Sequence, residues 1–239
     1  IDFLIRMVGP STPPVFLTPA ITTYNVTPPG NTVTFNVSAE DPDAGQFVTL
    51  NSIGIPTGSS MSPALPTSGP VNGTVQSTFS WTPSVAQVGT YVLNFVAQDN
   101  VGIQTLQPVT INVLCALDAT ASVVNTTCGL DNGSISVTPS NFSAAGNLIY
   151  TWSGPPGFTN PGNVSSISGV PAGTYTLRID DTGNGCFIIR THVVNADPDV
   201  TPPSTTCPGN ISVNNDAGAC GAYVSVPAPV FSDNCSATG

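Results

Sequence analysis

Hydrophobic and polar positions alternate one by one through much of this chain. Val33, Phe35 and Val37 interleave with Thr34, Asn36 and Ser38, and Tyr91, Leu93 and Phe95 with Thr90 and Asn94, Val92 being the one apolar residue among the alternate positions. A period of two marks a half-buried β-strand, because successive side chains leave opposite faces of the pleat. The pattern predicts strands over residues 32–39, 48–53, 76–81, 90–98, 109–114 and 187–194. No stretch repeats apolar residues at helical spacing for three turns, and the 24 prolines recur too often for long helices. The expected class is all-β.

One hairpin occurs twice. Gly89-Thr90-Tyr91-Val92-Leu93-Asn94-Phe95 returns as Gly173-Thr174-Tyr175-Thr176-Leu177-Arg178-Ile179. The first copy runs into the turn Gln98-Asp99-Asn100-Val101-Gly102, the second into Asp181-Thr182-Gly183-Asn184-Gly185, and each turn leads to a new alternating strand. A repeat at this spacing predicts tandem β-sandwich modules forming an elongated rod. Residues 14–114 are expected to form one module and 115–197 a second, with 198–239 the first half of a third. Residues 1–13 read as the last strand of a preceding module plus a linker. Phe3, Ile5 and Met7 lie on one face of that strand and Leu4 and Val8 on the other, so residues 1–10 are expected to pair outside 14–114. Trp81 is expected to plug the first core.

Charge narrows the partners. The chain has 3 Lys plus Arg against 13 Asp plus Glu, a formal net charge of −10. Nucleic acid and anionic lipid are therefore excluded as electrostatic partners. No run reads as membrane-spanning or as a signal peptide. The chain is expected to be a slice of a longer secreted protein whose export and anchoring signals lie elsewhere.

Hydrolysis needs paired acids or a nucleophile beside a base. The single glutamate is Glu40 and the single histidine His192, which alternation places on a strand surface. Asp180 and Asp181 are adjacent, so their side chains diverge. No enzyme activity is expected. Glu40, Asp41 and Asp43 leave a strand into a Pro and Gly turn, and Asp99 opens the turn after the first repeated strand. These four carboxylates are a candidate calcium site, since calcium accepts carboxylate and carbonyl oxygens with loose geometry; the alternative is a solvated acidic turn. Tyr24, Phe142, Phe158 and Phe231 lie near loops, where aromatic rings either stack on sugars or anchor the loop.

Three families are resembled in turn. Ala39-Glu40-Asp41-Pro42-Asp43-Ala44-Gly45, Phe79-Ser80-Trp81-Thr82-Pro83 and the first hairpin resemble the immunoglobulin-like and cadherin-like repeats of bacterial surface proteins, which place calcium ligands in comparable loops. Asp131-Asn132-Gly133-Ser134-Ile135-Ser136-Val137, Tyr150-Thr151-Trp152-Ser153, Val170-Pro171-Ala172-Gly173-Thr174-Tyr175 and the stretch from Asp180 to Cys186 resemble the SprB repeat of gliding-motility adhesins in Bacteroidetes-type bacteria. That family's turn is one residue shorter than Asp181 to Cys186. Cys207-Pro208, Asn210-Ile211-Ser212-Val213, Gly218-Ala219-Cys220-Gly221-Ala222 and Asp233-Asn234-Cys235 resemble the hyalin repeat, or HYR module.

All 6 cysteines follow residue 114, without paired Cys-x-x-Cys spacing, so disulfides in an oxidising compartment are expected in place of a zinc site. The interval from Cys220 to Cys235 is long enough to fold back, and the hyalin-like pattern implies a pair there, leaving Cys207 for a partner beyond the slice. Cys115 and Cys186 are expected at the same end of the second sandwich, which favours Cys115–Cys186. Cys128–Cys186 is the alternative, because the SprB-like pattern carries cysteines at those two positions.

The resemblances imply a segment of a large secreted cell-surface adhesin or surface-display protein, serving as spacer and multivalent contact surface, with type IX secretion and gliding as further implications. Its expected partners are an extracellular surface or polysaccharide and neighbouring modules of the same chain. The rivals are an accessory region of a secreted hydrolase and a filament subunit assembled by strand addition.

Overall fold

The computed structural model describes residues 10–235. The strand expected over 1–10 falls on residues 1–9, outside the described part. The chain separates into two compact units. One holds residues up to 119 with 139–149 and 179–188; the other holds 120–138, 150–178 and the residues from 189 onward.

Up to Val113 the strands are β1 (Val15–Thr18), β2 (Thr23–Val26), β3 (Val33–Glu40), β4 (Val48–Ile53), β5 (Ser60–Ser62), β6 (Thr67–Ser68), β7 (Val75–Trp81), β8 (Gly89–Asp99) and β9 (Gln104–Val113). They form two sheets, ordered β1-β3-β7-β5 and β2-β9-β8-β4-β6. The first strand segment is split between them. β1 runs antiparallel to β3, the chain breaks at Pro19, and β2 then runs parallel to β9. Proline has no N–H to give a ladder, so the break falls where pairing must change sheets.

Period two produces the core directly. Val33, Phe35 and Val37 of β3, Phe79 and Trp81 of β7, Leu93, Phe95 and Ala97 of β8, and Val109, Ile111 and Val113 of β9 are all buried in one cluster. Phe35 stacks on Tyr24 and on Phe79 at 4.8 Å each, and Phe95 meets Phe35 edge-on at 6.0 Å. Trp81 is 1% exposed and takes Tyr91 edge-on at 4.8 Å. Each large side chain so buried stabilises by about 1.5–3 kcal/mol. Strands β1 to β9 form a β-sandwich.

Further along are β10 (Asp118–Val124), β11 (Thr126–Thr127), β12 (Gly133–Ser140), β13 (Leu148–Ser153), β14 (Ser166–Val170), β15 (Gly173–Asp181), β16 (Cys186–Val194) and β17 (Ala196–Asp197). They pair as β10-β12-β14, β11-β17 and β13-β15-β16. Alternation again picks the buried side: Ile135 and Val137 on β12, Leu148 and Trp152 on β13, Tyr175, Leu177 and Ile179 on β15. Helix is confined, among the described residues, to the 3-10 turns Val85–Gln87 and Ala145–Asn147.

The two hairpin copies share a contact. The Tyr91 hydroxyl donates to the Gln87 carbonyl at 3.0 Å, and the Tyr175 hydroxyl to the Pro171 carbonyl at 2.8 Å. Each tyrosine bonds a backbone oxygen four residues upstream, the tyrosine corner of immunoglobulin-like sandwiches. A glycine stands between tyrosine and carbonyl in each copy, Gly89 with a φ of +145° and Gly173 close against the Pro155 ring.

Beyond Asp197 the strands are β18 (Ser204–Thr206) and β19 (Val230–Ser232), an antiparallel pair. The expected strand through Ala222, Val224 and Val226 is not formed. The expected Cys220–Cys235 bond is not formed either: Cys235 is joined to Cys128, and Cys207 and Cys220 are exposed free thiols. The cause is strand pairing. β19 returns to β18 and not to the stretch after Cys220, and it carries Cys235 back to the start of this segment, where Asn234 reaches Asp199 at 3.4 Å. Cys115 is bonded to Cys186, with their α-carbons 5.7 Å apart.

Candidate functional site

The four carboxylates of the candidate calcium site lie at the ends of β3 and β8 and in the turn after β3, and they do not act as one set. Glu40 is exposed and accepts a hydrogen bond from the Thr74 hydroxyl at 3.3 Å. Asp41 Oδ1 accepts the Asp43 N–H at 2.8 Å, which folds the turn on itself. Asp43 is taken by the approaching chain: its Oδ2 accepts the Thr12 N–H at 2.6 Å and lies 3.3 Å from the Ser11 hydroxyl. Asp99 caps its own turn, with Oδ1 accepting the N–H groups of Val101, Gly102 and Ile103 at 2.9, 2.6 and 2.7 Å. Its Oδ2 lies 3.1 Å from the same Ser11 hydroxyl. Ser11 therefore stands between the Asp43 and Asp99 carboxylates, with one hydroxyl hydrogen to give to either.

Two oxygens in this cluster are buried without a partner, Asp41 Oδ2 and Gln46 Oε1. Gln46 spends its amide hydrogens on the Ser11 hydroxyl at 2.8 Å and on Asp43 at 3.4 Å, which turns its carbonyl oxygen to the orphaned position. Orphaned acceptors suit a hard cation. Asp41 and Gln46 hold these open acceptors, whereas the Asp43 oxygens are taken by Thr12 and Ser11. Glu40 faces Thr74, and among the described residues no three His, Cys, Asp or Glu side chains gather as a metal-ligating group.

Ser11 and Gln46 were not legible as members of this site. Neither carries charge, and what joins them to the site is the Ser11 hydroxyl, which meets Asp99 88 residues away and accepts from Gln46. Asp181 opens the turn after the second repeated strand. It is 1% exposed and receives the Ser143 N–H at 2.6 Å, the Ser143 hydroxyl and the Gly183 N–H at 3.0 Å. A side chain at Gly183 would strike Ser143 and Asn147, so this glycine serves close approach. Both repeated strands thus end in a buried aspartate that caps the following turn.

His192 departs from its expected surface position. It is half-buried on β16, and its ring lies 6.4 Å from that of Trp152. Nε2 is buried without a partner, and burial, with the Arg190 charge adding to it, pushes the imidazole pKa below its ordinary value. Of the aromatic rings near loops, Tyr24 belongs to the first core, Phe158 packs on Tyr175, and Phe231 is exposed. No helix of the described residues is long and apolar enough to cross a membrane.

Compared with known proteins, the sequence matches no family model and no curated protein. Solved structures with a similar course include mouse clustered protocadherin PcdhgC3 EC1-3, at 15% identity and TM-score 0.33, covering 77% of this chain and 68% of that one. The eight N-terminal Ig domains of Down syndrome cell adhesion molecule give 13% identity and TM-score 0.37, over 78% of this chain and 25% of that one. An endo-fucoidan hydrolase of glycoside hydrolase family 107 gives 15% identity and TM-score 0.34, over 78% of this chain and 29% of the hydrolase. These are likenesses of architecture alone. The sandwich assignment rests on this chain's own strand pairing and core.

Proposed function

We propose that this chain is a segment of a large secreted cell-surface adhesin or surface-display protein, working as a spacer and a multivalent contact surface. The observation that carries the reading is the hairpin built twice, each copy with its tyrosine corner and buried turn aspartate. A repeated rigid element serves reach and avidity, in which many weak contacts act at high effective concentration. The only histidine leans on a tryptophan and the only glutamate on a threonine, which supports a non-enzymatic role. Two disulfides support folding in an oxidising, extracellular setting. Delivery by type IX secretion, a part in gliding, the module boundaries near residues 114 and 197 and a rod-like form belong to the same proposal, on the strength of the SprB-like and hyalin-like phrases.

An antibody raised against the chain is expected to label intact, unpermeabilised cells, and the complete reading frame to encode many further sandwich repeats. A parent chain carrying a domain with paired catalytic acids would replace this reading with the hydrolase accessory region. A helical lattice of native material in negative stain would replace it with the filament subunit.

Calcium is proposed as a stiffening ligand at Asp41 and Gln46. The melting temperature of the chain is expected to rise on adding calcium and fall with chelator, and Asp41→Asn to abolish the difference. A chelator-insensitive melt removes calcium and leaves the adhesion reading untouched.

A further inference from the structure

Strand β14 is the edge of the β10-β12-β14 sheet, and an open groove of about 650 Å³ runs along it. Its other wall is the Pro155–Pro161 segment, and Asp131 stands on its rim. The volume lies within the roughly 300–1,000 Å³ range of small-ligand clefts.

The loop wall is held by the core beneath it. The Phe158 N–H closes a turn on the Pro155 carbonyl at 3.0 Å, and the Phe158 ring stands edge-on to Tyr175 at 5.3 Å. Tyr175 is itself fully buried and tied by its hydroxyl to Pro171. A side chain on Gly154 would come within 2.8 Å of both rings, and one on Gly173 would overlap the Pro155 ring. Those two glycines let the loop seat. At the far end the buried Trp152 indole donates to the Val164 carbonyl at 2.8 Å, and Asn163 accepts the Tyr150 N–H at 2.7 Å. A wall fixed at both ends and in the middle is formed before any ligand arrives, so binding costs little ordering.

The lining selects among ligand classes. No arginine lines the groove and the chain has no lysine, while the exposed Asp131 carboxylate reinforces the burial that pushes the Tyr175 phenol pKa up. Phosphate, sulfate and uronate groups are therefore repelled. An added β-strand is also disfavoured. Gly169 of β14 sits at φ +66°, and the β12–β14 register shifts opposite it; a bulged edge does not offer the regular ladder that strand addition needs. What remains is an uncharged ligand with apolar faces and a rim of hydroxyls. Phe158, Pro156 and Pro161 supply ring and CH surface, and Asp131, Thr159 and Ser168 supply acceptors and hydroxyls.

We propose that this groove binds a neutral saccharide, the sugar's CH face on Phe158 and the prolines and its hydroxyls on Asp131, Thr159 and Ser168. The inference rests on the adhesion reading and names what the contact is made with. Titration of the full chain with cellohexaose, laminarihexaose and mannohexaose, beside alginate and heparin as acidic controls, tests it. Saturable binding to at least one neutral oligosaccharide is expected, weakened at least about tenfold by Phe158→Ala. Ser168→Tyr, which fills the groove from an exposed position, is expected to abolish binding with the melting temperature kept, and Asp131→Asn to weaken it severalfold. Absence of binding to every neutral oligosaccharide, preference for the acidic ones, or neutral binding that survives both Ser168→Tyr and Asp131→Asn overturns the proposal. Survival of binding in those variants leaves the adhesion reading standing. A parent chain with a catalytic domain removes the adhesion reading and leaves the groove.

Discussion

Asp99 illustrates how much one side chain carries here. It is 5% exposed, and three backbone N–H groups of its turn end on a single carboxylate oxygen. Asp99→Ala strands those donors near the core, with an expected loss of about 2–3 kcal/mol in urea unfolding. Asp99→Asn keeps an acceptor oxygen and is expected to lose less. His192 makes a different prediction. Its imidazole pKa is held below the ordinary value in the folded chain, whereas the unfolded chain titrates at about 6.5. As pH falls through about 6.5, the unfolded chain takes up a proton that the folded chain refuses, so stability falls with pH in that window. Melting between about pH 7.5 and 5.5 is expected to show the decline, and His192→Gln to flatten it. The chain's 1 histidine keeps the window clean of other imidazoles.

The repeated hairpin was legible in the sequence down to its inward residues, because alternation is a local property that each strand keeps whatever it packs against. Its tyrosine corners were not. The acceptors are backbone carbonyls of Gln87 and Pro171, and a carbonyl leaves no mark in side-chain chemistry. If the two corners are equivalent, Tyr91→Phe and Tyr175→Phe should each cost about 1 kcal/mol, measured by urea unfolding. A clear cost at Tyr91 with none at Tyr175 would mean that the shared motif has different functions in the two copies. Elsewhere, elements were placed but trimmed differently. The strand expected over 109–114 begins at Gln104 in β9, because pairing with the whole of β8 extends it through Pro108.

The two disulfides differ in what they hold. Cys115–Cys186 closes a separation of 71 residues, and Cys186 is buried. Its replacement by serines is expected to cost up to about 4 kcal/mol by the loop-closure relation. Cys128–Cys235 spans 107 residues but ties down a segment whose residues from Val200 to Cys235 are almost all exposed. Replacing that pair is expected to leave the main thermal transition in place while opening the segment after Asp197 to limited proteolysis. An equal fall in melting temperature for both replacements would contradict this assignment.

Residue order alone was enough for the all-β class, the main strands, their buried faces and the repetition of the hairpin. These follow from period two and turn chemistry, which act over a few neighbours. The partner of Cys235, the seating of Ser11 between Asp43 and Asp99, and the groove beside β14 came only with the folded chain. Each depends on contacts between residues far apart in the chain: β19 with β18 sets Cys235, the Ser11 hydroxyl reaches Asp99, and packing on Tyr175 and Trp152 sets the groove wall. Such contacts join residues that no short window along the chain holds together, whereas alternation acts between neighbours.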